Sequence, residues 1–409
     1  MIATRAIPFF AKERAMSKGS FHASTLSARL VIGLASVVLL GAATMMSARA
    51  DIKIGFQAPL TGPSATDGKS AQIAAQMAVE DINSAGGVLG QKLELVTYDD
   101  QAKSDQAIFT ANKLIGEDGV KLVVNGSYSA SGRAAAPIFQ KAGVVMISAY
   151  GVHPDITRAG DFIFRLVHLG PPQGAATALY VGKTLGLKKV STITMDNDYG
   201  QATMDGFLEA ASKYGVEVVS KYSYSLKDRQ FGSIVASVKR DNPDAIYATG
   251  YFFTGGPLVA QLRAAGITVP IIGSQAFDSE KFVEIAGPAA EGTYIVDSFD
   301  RDRKDEALQK FFAEFKKRAG YAPEGVAAIT YSAVMLMADG IKRANSDDPA
   351  KVRDALAATK DFPTLEGSMN GFNSLHELLM PISVNVIKDG QFKPAGEITD
   401  LSAFAPPEK

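Results

Sequence analysis

The stretch IKIGFQAPLTGPSATDGKSAQIAAQMAVEDINSAGGVLGQKLELVTYDD, residues 52–100, decides the architecture. Ile52-Lys53-Ile54-Gly55-Phe56 reads as a short buried strand. From Lys69 to Ser84 the residues Ile73, Ala74, Met77, Ala78 and Ile82 share one stripe at 3.6-residue spacing, which predicts a helix. Gly86-Gly87 supplies the left-handed exit that helices favour, and Leu93–Thr97 is the next apolar run. Strands rich in valine and isoleucine with a helix between them imply a parallel pair with a right-handed crossover.

The unit recurs in both directions of the argument. Leu93–Thr97 is followed by a helix over Ser104–Ile115, Leu122–Asn125 by one ending near Ala142, and Val144–Ser148 is a further strand. Gly170-Pro171-Pro172 opens a second series of helices over Gln173–Leu185, Gln201–Tyr214, Gln230–Arg240 and Pro257–Ala265. Its strands are Val190–Met195, Val216–Tyr222, Ala245–Thr249 and Pro270–Gly273. Each unit spans about 25 to 35 residues, as a doubly wound sheet requires. Asp300–Glu306 mixes both signs of charge and reads as a solvated connection before long helices at Ala307–Arg318 and Val326–Arg343. The fold class is therefore α/β.

With 409 residues, 46% of them hydrophobic, the chain holds enough apolar material for two cores. A formal net charge of −1 gives no electrostatic reason to expect nucleic acid or an anionic membrane as partner. Cysteine is absent, which excludes disulfides and thiolate chemistry. Only His153, His168 and His376 lie beyond the first fifty residues, without metal-ligand spacing, so neither metal nor cofactor is expected.

Those first fifty residues read as a signal peptide. Arg14, Lys18 and Arg29 precede the uncharged run Leu30–Ala43, and Ala48-Arg49-Ala50 supplies a small-residue cleavage pattern. The run is about 14 residues, shorter than the roughly 20 a spanning helix needs. Met16 is an alternative start. Cleavage before Asp51 would place the mature chain in the periplasm.

Ligands of open α/β sheets sit at the carboxyl ends of the strands. The informative loops are thus 59–67, 125–132, 149–154, 196–200, 249–256 and 274–277, where tyrosines and phenylalanines lie among glycines and hydroxyls. That composition suits a cleft with apolar walls and a few polar anchors. Catalytic patterns are missing. No G-x-S-x-G elbow or phosphate-gripping glycine loop occurs, and the serine-rich loop Ser127–Ser131 has no assigned histidine. Asp196-Asn197-Asp198-Tyr199-Gly200 fails as a calcium loop, since Phe207 stands where the glutamate belongs. Asp99-Asp100 reads as a cap for the following helix. An enzyme is not expected.

From Asp51 onward the chain resembles the leucine/isoleucine/valine-binding proteins of bacterial ABC transporters, the amino-acid and amide branch of the type I periplasmic solute-binding proteins. The resemblance rests on Asp51-Ile-Lys-Ile-Gly55, Leu60-Thr-Gly-Pro63, Ala78-Val-Glu-Asp-Ile-Asn83 with Gly86-Gly87, Tyr98-Asp-Asp100 and Ala111-Asn-Lys-Leu-Ile115. Ile147-Ser148, Tyr199-Gly200, Ala290-Glu-Gly292 and Ile329-Thr-Tyr-Ser-Ala333 continue it in family order. It implies two doubly wound parallel-sheet lobes joined by three crossovers near Gly170, Phe299 and Gly367. Lobe I would comprise 51–169 and 300–366, lobe II 170–299 and 367–395, with a tail at 396–409.

The resemblance also implies a ligand site. Ser129 falls on the serine whose hydroxyl takes the ligand carboxylate, at a helix start where an anion is favoured. Pro137 is expected in that helix's first turn. Tyr150 falls on a residue that offers its backbone to the same group, and Tyr199 and Tyr251 on tyrosines that reach across the cleft. Four positions depart. A threonine that contacts the ligand's amino and carboxyl groups is here Val152, and the glutamate that pairs with the α-ammonium is Gln275. A pocket aromatic becomes Asp67, and a tyrosine becomes Val326. A buried ammonium without a carboxylate costs several kcal/mol, which argues against an L-leucine-type ligand. With Tyr128, Tyr150, Phe252 and Phe277 nearby, an aromatic or aliphatic carboxylate, keto acid or amide is expected; Asp67, facing the pocket, would suit a cationic or hydroxylated tail. The implied partner is an inner-membrane ABC permease served by a monomer. A ligand-sensing subunit docked on a membrane signalling protein is the alternative.

Overall fold

The computed structural model describes residues 50–296 and 299–399. The expected signal peptide, the alternative start at Met16 and tail residues 400–409 lie outside the described residues.

The first series of units runs β1 (Ile52–Ala58), α1 (Ala65–Ser84), β2 (Leu93–Asp99), α2 (Ser104–Gly116), β3 (Leu122–Asn125), α3 (Ser129–Ala142), β4 (Val145–Ser148) and β5 (Ile163–Arg165). The strands form one sheet in the order β2-β1-β3-β4-β5, every pair parallel. β3 and β4 are buried at every position, whereas edge strand β2 is partly exposed. Helices on both faces explain why the inner strands are continuous apolar runs rather than alternating ones.

The second series is α4 (Gly170–Leu179), β6 (Lys189–Met195), α5 (Asp198–Ala210), β7 (Glu217–Tyr224), α6 (Gly232–Asp241), β8 (Ala245–Ala248), α7 (Phe252–Ala264), β9 (Ile271–Gly273), α8 (Glu280–Ala286) and β10 (Thr293–Val296). The chain then returns to the first lobe through α9 (Glu306–Ala319), α10 (Gly325–Ala344) and α11 (Pro349–Ala357). There α10 lies along α1, and Phe311 and Phe315 of α9 share a buried cluster with Ala74 and Met77. Two short hairpins follow, β11 (Phe362–Thr364) with β12 (Gly367–Met369) and β13 (Gly371–Phe372) with β14 (Leu378–Leu379). Last come β15 (Ile382–Lys388) and β16 (Gln391–Ile398).

The two-lobed α/β architecture is as expected, with local corrections. The second sheet, β16-β15-β10-β9-β8-β6-β7, is parallel from β7 to β10 but ends in an antiparallel pair that periodicity did not reveal. The expected tail start at residue 396 cuts through β16, where Gly396–Ile398 pair with Ile382–Val384. The third crossing is later than Gly367. Beyond β12, the His376 ring stacks on Phe164 at 4.1 Å, and Arg165 N–H donates to the His376 carbonyl at 3.0 Å. The cause is the fully buried Arg165 guanidinium, which donates to the carbonyls of Gly151 and His153. Burial pulls its pKa down to about 10, offset by the charge of Glu377. The hairpin carrying Glu377 therefore stays on the first lobe, and the chain crosses at Met380-Pro381.

Helix starts move too. Pro137 lies inside α3, not in its first turn, and deprives the Arg133 carbonyl of its helical donor. α7 begins at Phe252 rather than Pro257, held by Tyr251 N–H donating to Thr254 Oγ1 at 3.1 Å. Asp100 caps no helix; its carboxylate closes a turn by accepting from Ala102 N–H at 2.9 Å.

Two glycines are required by geometry. Gly87 has φ 75°, and a Cβ there would meet the Gln91 carbonyl oxygen at 2.0 Å. On α5, a Cβ at Gly206 would lie 2.0 Å from the Pro171 carbonyl oxygen of α4. Backbone cannot retreat as a flexible side chain can. Gly206→Ala should cost about 1–3 kcal/mol in urea unfolding, despite alanine's better helix propensity; unchanged stability would contradict the close helix packing.

Candidate functional site

A doubly wound sheet opens a crevice where its strand order reverses, because the helices on either side of that point leave from opposite faces. In the first sheet β1 lies between β2 and β3; in the second, β6 lies between β7 and β8. The four loops that follow β1, β3, β6 and β8 carry residues singled out above. Asp67 is in the first turn of α1, Tyr128 and Ser129 start α3, Tyr199 is in the first turn of α5, and Tyr251 immediately precedes α7.

These residues meet. The Tyr128 ring lies on the Tyr251 ring at 4.2 Å and 12°, so the two lobes touch through a stacked pair. Tyr251 stacks in turn on Tyr199 at 5.3 Å, and Tyr150 stands edge-on to Tyr128 at 6.0 Å. All four are buried. Each such contact contributes about 0.5–1.5 kcal/mol beyond area burial. The hydroxyls are anchored: Tyr150 donates to the Gly126 carbonyl, Tyr199 accepts from Ala276 N–H at 3.0 Å, and Tyr251 accepts from the Asn197 amide at 3.3 Å. Beside the stack, Arg133 of α3 pairs with Asp198 of α5 at 2.9 Å across the lobes.

Ser129 is the first residue of α3 and is buried. Its Oγ accepts from Val152 N–H at 3.0 Å, which leaves its proton free to point elsewhere. The residue before the helix makes no side-chain cap, so the N–H groups of the first turn, which lack helical acceptors, stay open to an anion. Val152 thus serves Ser129 through its backbone; its fully buried side chain offers nothing polar.

Buried carboxylates adjoin the stack. Asp67 is buried and accepts the Tyr128 hydroxyl at 2.6 Å. Burial pushes its pKa up to about 7, the Tyr128 bond pulling the other way. Glu324, immediately before α10, is buried beside it and is raised to about 8, by burial first and by Asp67's charge second. Its Oε1 accepts the Ser279 hydroxyl of the second lobe at 3.4 Å. Asp100, beneath the α3 loop, is raised to about 6 by burial, with the Ser127 and Ser131 hydroxyls pulling the other way.

Other chosen residues lie elsewhere. Gln275 lines a small cavity among the three crossings, with Val167, His168, Phe299 and Met380, and its Oε1 accepts from Gln173 at 3.4 Å. His168 Nε2 meets the Met380 carbonyl at 2.7 Å there, tying first crossing to third. Val326 is half-buried at the start of α10. Phe277 is core: fully buried, stacked on Phe282 at 4.9 Å and packed under Gly255. Phe252 is likewise in the core cluster. Glu324 and the Arg133–Asp198 pair went unnoticed in the sequence, where a carboxylate before a helix reads as an ordinary cap.

Two α/β lobes joined by three crossings, with loops from both meeting over buried aromatic and carboxylate side chains, define a cleft-type binding protein. The comparisons agree. Residues 51–391 match the periplasmic binding protein family. The leucine-, isoleucine-, valine-, threonine- and alanine-binding protein of Pseudomonas aeruginosa is 32% identical over 367 residues, 89% of this chain and 95% of that one. The leucine-binding protein structure from Thermotoga maritima superposes with TM-score 0.80 at 27% identity, covering 86% of this chain and 99% of its own. A branched-chain amino-acid substrate-binding protein from Streptococcus pneumoniae, solved with isoleucine, gives 0.79 at 28% identity, covering 85% and 99%. The chain belongs to the periplasmic binding protein family, whose members compared here are solute-binding proteins and not enzymes.

The buried carboxyls make stability depend on pH. Asp67 and Glu324 titrate at their ordinary values of 3.8 and 4.5 when unfolded, but near 7 and 8 when folded. Between those values the folded protein holds protons that the unfolded chain has lost, so their contribution falls as pH rises from about 4 to about 8. Calorimetric melting at pH 5 to 8.5 should show this decline, and Asp67→Asn with Glu324→Gln should flatten it; an equal slope in the double variant would contradict the assignment.

Proposed function

We propose that this chain is the extracytoplasmic solute-binding component of a branched-chain amino-acid-type ABC transporter, which closes its two lobes on a small carboxylate or amide and delivers it to an inner-membrane permease as a monomer. One observation carries the reading: the open helix start at Ser129 on one lobe lies beside Tyr128, whose ring meets Tyr251 of the other. An anion held at Ser129 and walled by that aromatic pair touches both lobes at once. Such a ligand favours the closed arrangement because only there does it gain both sets of contacts, which is sufficient to shift a hinge equilibrium. The ties between crossings, His168 to Met380 and the Asn385 amide to the Phe299 carbonyl at 2.9 Å, give the hinge defined pivots.

The relatives' ligands support a small organic solute with a carboxylate, and the changes at Val152 and Gln275 support a different solute from theirs. Among the described residues no helix is long and apolar enough to cross a membrane, which fits a component that hands its solute to a separate permease.

A thermal-shift screen of acids, amino acids and amides tests the reading. A true ligand at 100 times its Kd should add about 2.7 kcal/mol of stability; a panel that leaves the midpoint unmoved contradicts it. Ser129→Ala should weaken a carboxylate ligand at least tenfold by calorimetric titration, while an unchanged Kd would remove Ser129 from the site.

A further inference from the structure

Arg133 and Asp198 meet between the lobes, outside the buried stack. Arg133 lies one helical turn beyond Ser129 in α3, so its side chain leaves the same helix face as the proposed anion site. Asp198 is the first residue of α5, immediately before Tyr199, whose ring stacks on Tyr251. Asp198 Oδ2 stands 2.9 Å from Arg133 Nε, and neither side chain makes another hydrogen bond or ion pair among the described residues. The backbone under Asp198 is fixed. Asn197 caps α5 by accepting from Gly200 N–H at 2.8 Å, and its amide donates to the Tyr251 hydroxyl at 3.3 Å. On both lobes the ion pair is therefore tied to residues of the interlobe wall without being part of it.

Exposure separates it from the other contacts that join the lobes. The Arg133 and Asp198 side chains are 46% and 24% exposed, whereas the Tyr128–Tyr251 stack and the Ser279–Glu324 bond are buried. Moving the lobes apart returns both charged groups to water at little desolvation cost, so the pair can form and break with the hinge. Its sign also fits. The starts of α3 and α5 meet at this pair, each with the positive end of a helix dipole, and Arg133 adds a further positive charge. Asp198 is the negative group that offsets all three.

We propose that Arg133 and Asp198 form an electrostatic clasp: a positioning pair that touches no solute, favours the closed arrangement of the lobes, and sets how long a bound solute stays. This rests on the closing reading above and assigns part of the closure to two residues outside the solute site. The effect is modest in size, because an exposed ion pair changes an equilibrium by up to about fivefold, and salt screens it. The direction is diagnostic. If charge acted only on the solute, removing the Asp198 carboxylate would tighten a carboxylate held at Ser129. A clasp gives the opposite result, since the lobes then separate more readily and the solute leaves faster.

The chain has no cysteine, so Lys103→Cys and Lys227→Cys, one exposed position on each lobe, admit a pair of fluorophores whose energy transfer reports closure in single molecules. In the solute-free protein, Asp198→Asn and Arg133→Gln should each lower the closed-to-open ratio about threefold, and the double variant should lose no more than either alone. Raising NaCl from about 0.05 to 0.5 M should lower the ratio of the parent protein but not of the variants. Stopped-flow release of isoleucine or benzoate, whichever closes the labelled protein, should be about threefold faster in Asp198→Asn. A ratio that neither substitution nor salt changes, or slower release from Asp198→Asn, overturns the clasp while solute-driven closure stands. Energy transfer that neither solute changes in any of the proteins, together with an unresponsive thermal-shift panel, overturns closure and the clasp with it.

Discussion

The reversal of strand order beside β1 and again beside β6 is the constraint on which the rest of the molecule depends. At those two points the helices diverge to opposite faces, and nothing of the sheet's own making covers the carboxyl ends of the strands. The loops that emerge there must find other partners. Here the partners are the corresponding loops of the other lobe, and the Tyr128–Tyr251 stack at 4.2 Å is where they meet. Three crossings rather than one connect the lobes, so the closure proposed above would be a hinge motion that keeps the two loop sets opposite each other.

Placing charge in that contact is costly, and the chain does so at helix starts. Asp67 stands in the first turn of α1 and Glu324 just ahead of α10, where the helix dipole favours a carboxylate. The favour is small beside the burial, as their pKa values near 7 and 8 record. Residues chosen for stability alone would be apolar here.

Much of this was legible in the sequence because it is local. The Ile73–Ile82 stripe, the valine-rich runs and Gly86-Gly87 each act within a few residues, and they place β1, α1 and β2 without reference to anything distant. The same locality put Asp67, Tyr128, Ser129, Tyr199 and Tyr251 in loops after strands. Family order, not periodicity, distinguished them from ordinary loop residues. What stayed hidden is long-range. The Glu377 hairpin is held to the first lobe by buried Arg165, far earlier in the chain, so the third crossing was placed too soon at Gly367. β15 and β16 pair antiparallel at the sheet edge, a choice of partner that short apolar runs do not encode. Pro137 was expected in the first turn because proline is tolerated there; the helix that starts at Ser129 instead carries it in its interior. Glu324 acquires meaning only when Asp67 is seen beside it.

Hydrogen–deuterium exchange, with and without a solute that raises the melting temperature, tests the central claim most directly. Slowed exchange is expected together in 126–132 and 150–152 on the first lobe and in 197–200 and 249–254 on the second, with the outer helices unchanged. Protection confined to one lobe, or located away from the four switch-point loops, would contradict a cleft that closes on its solute.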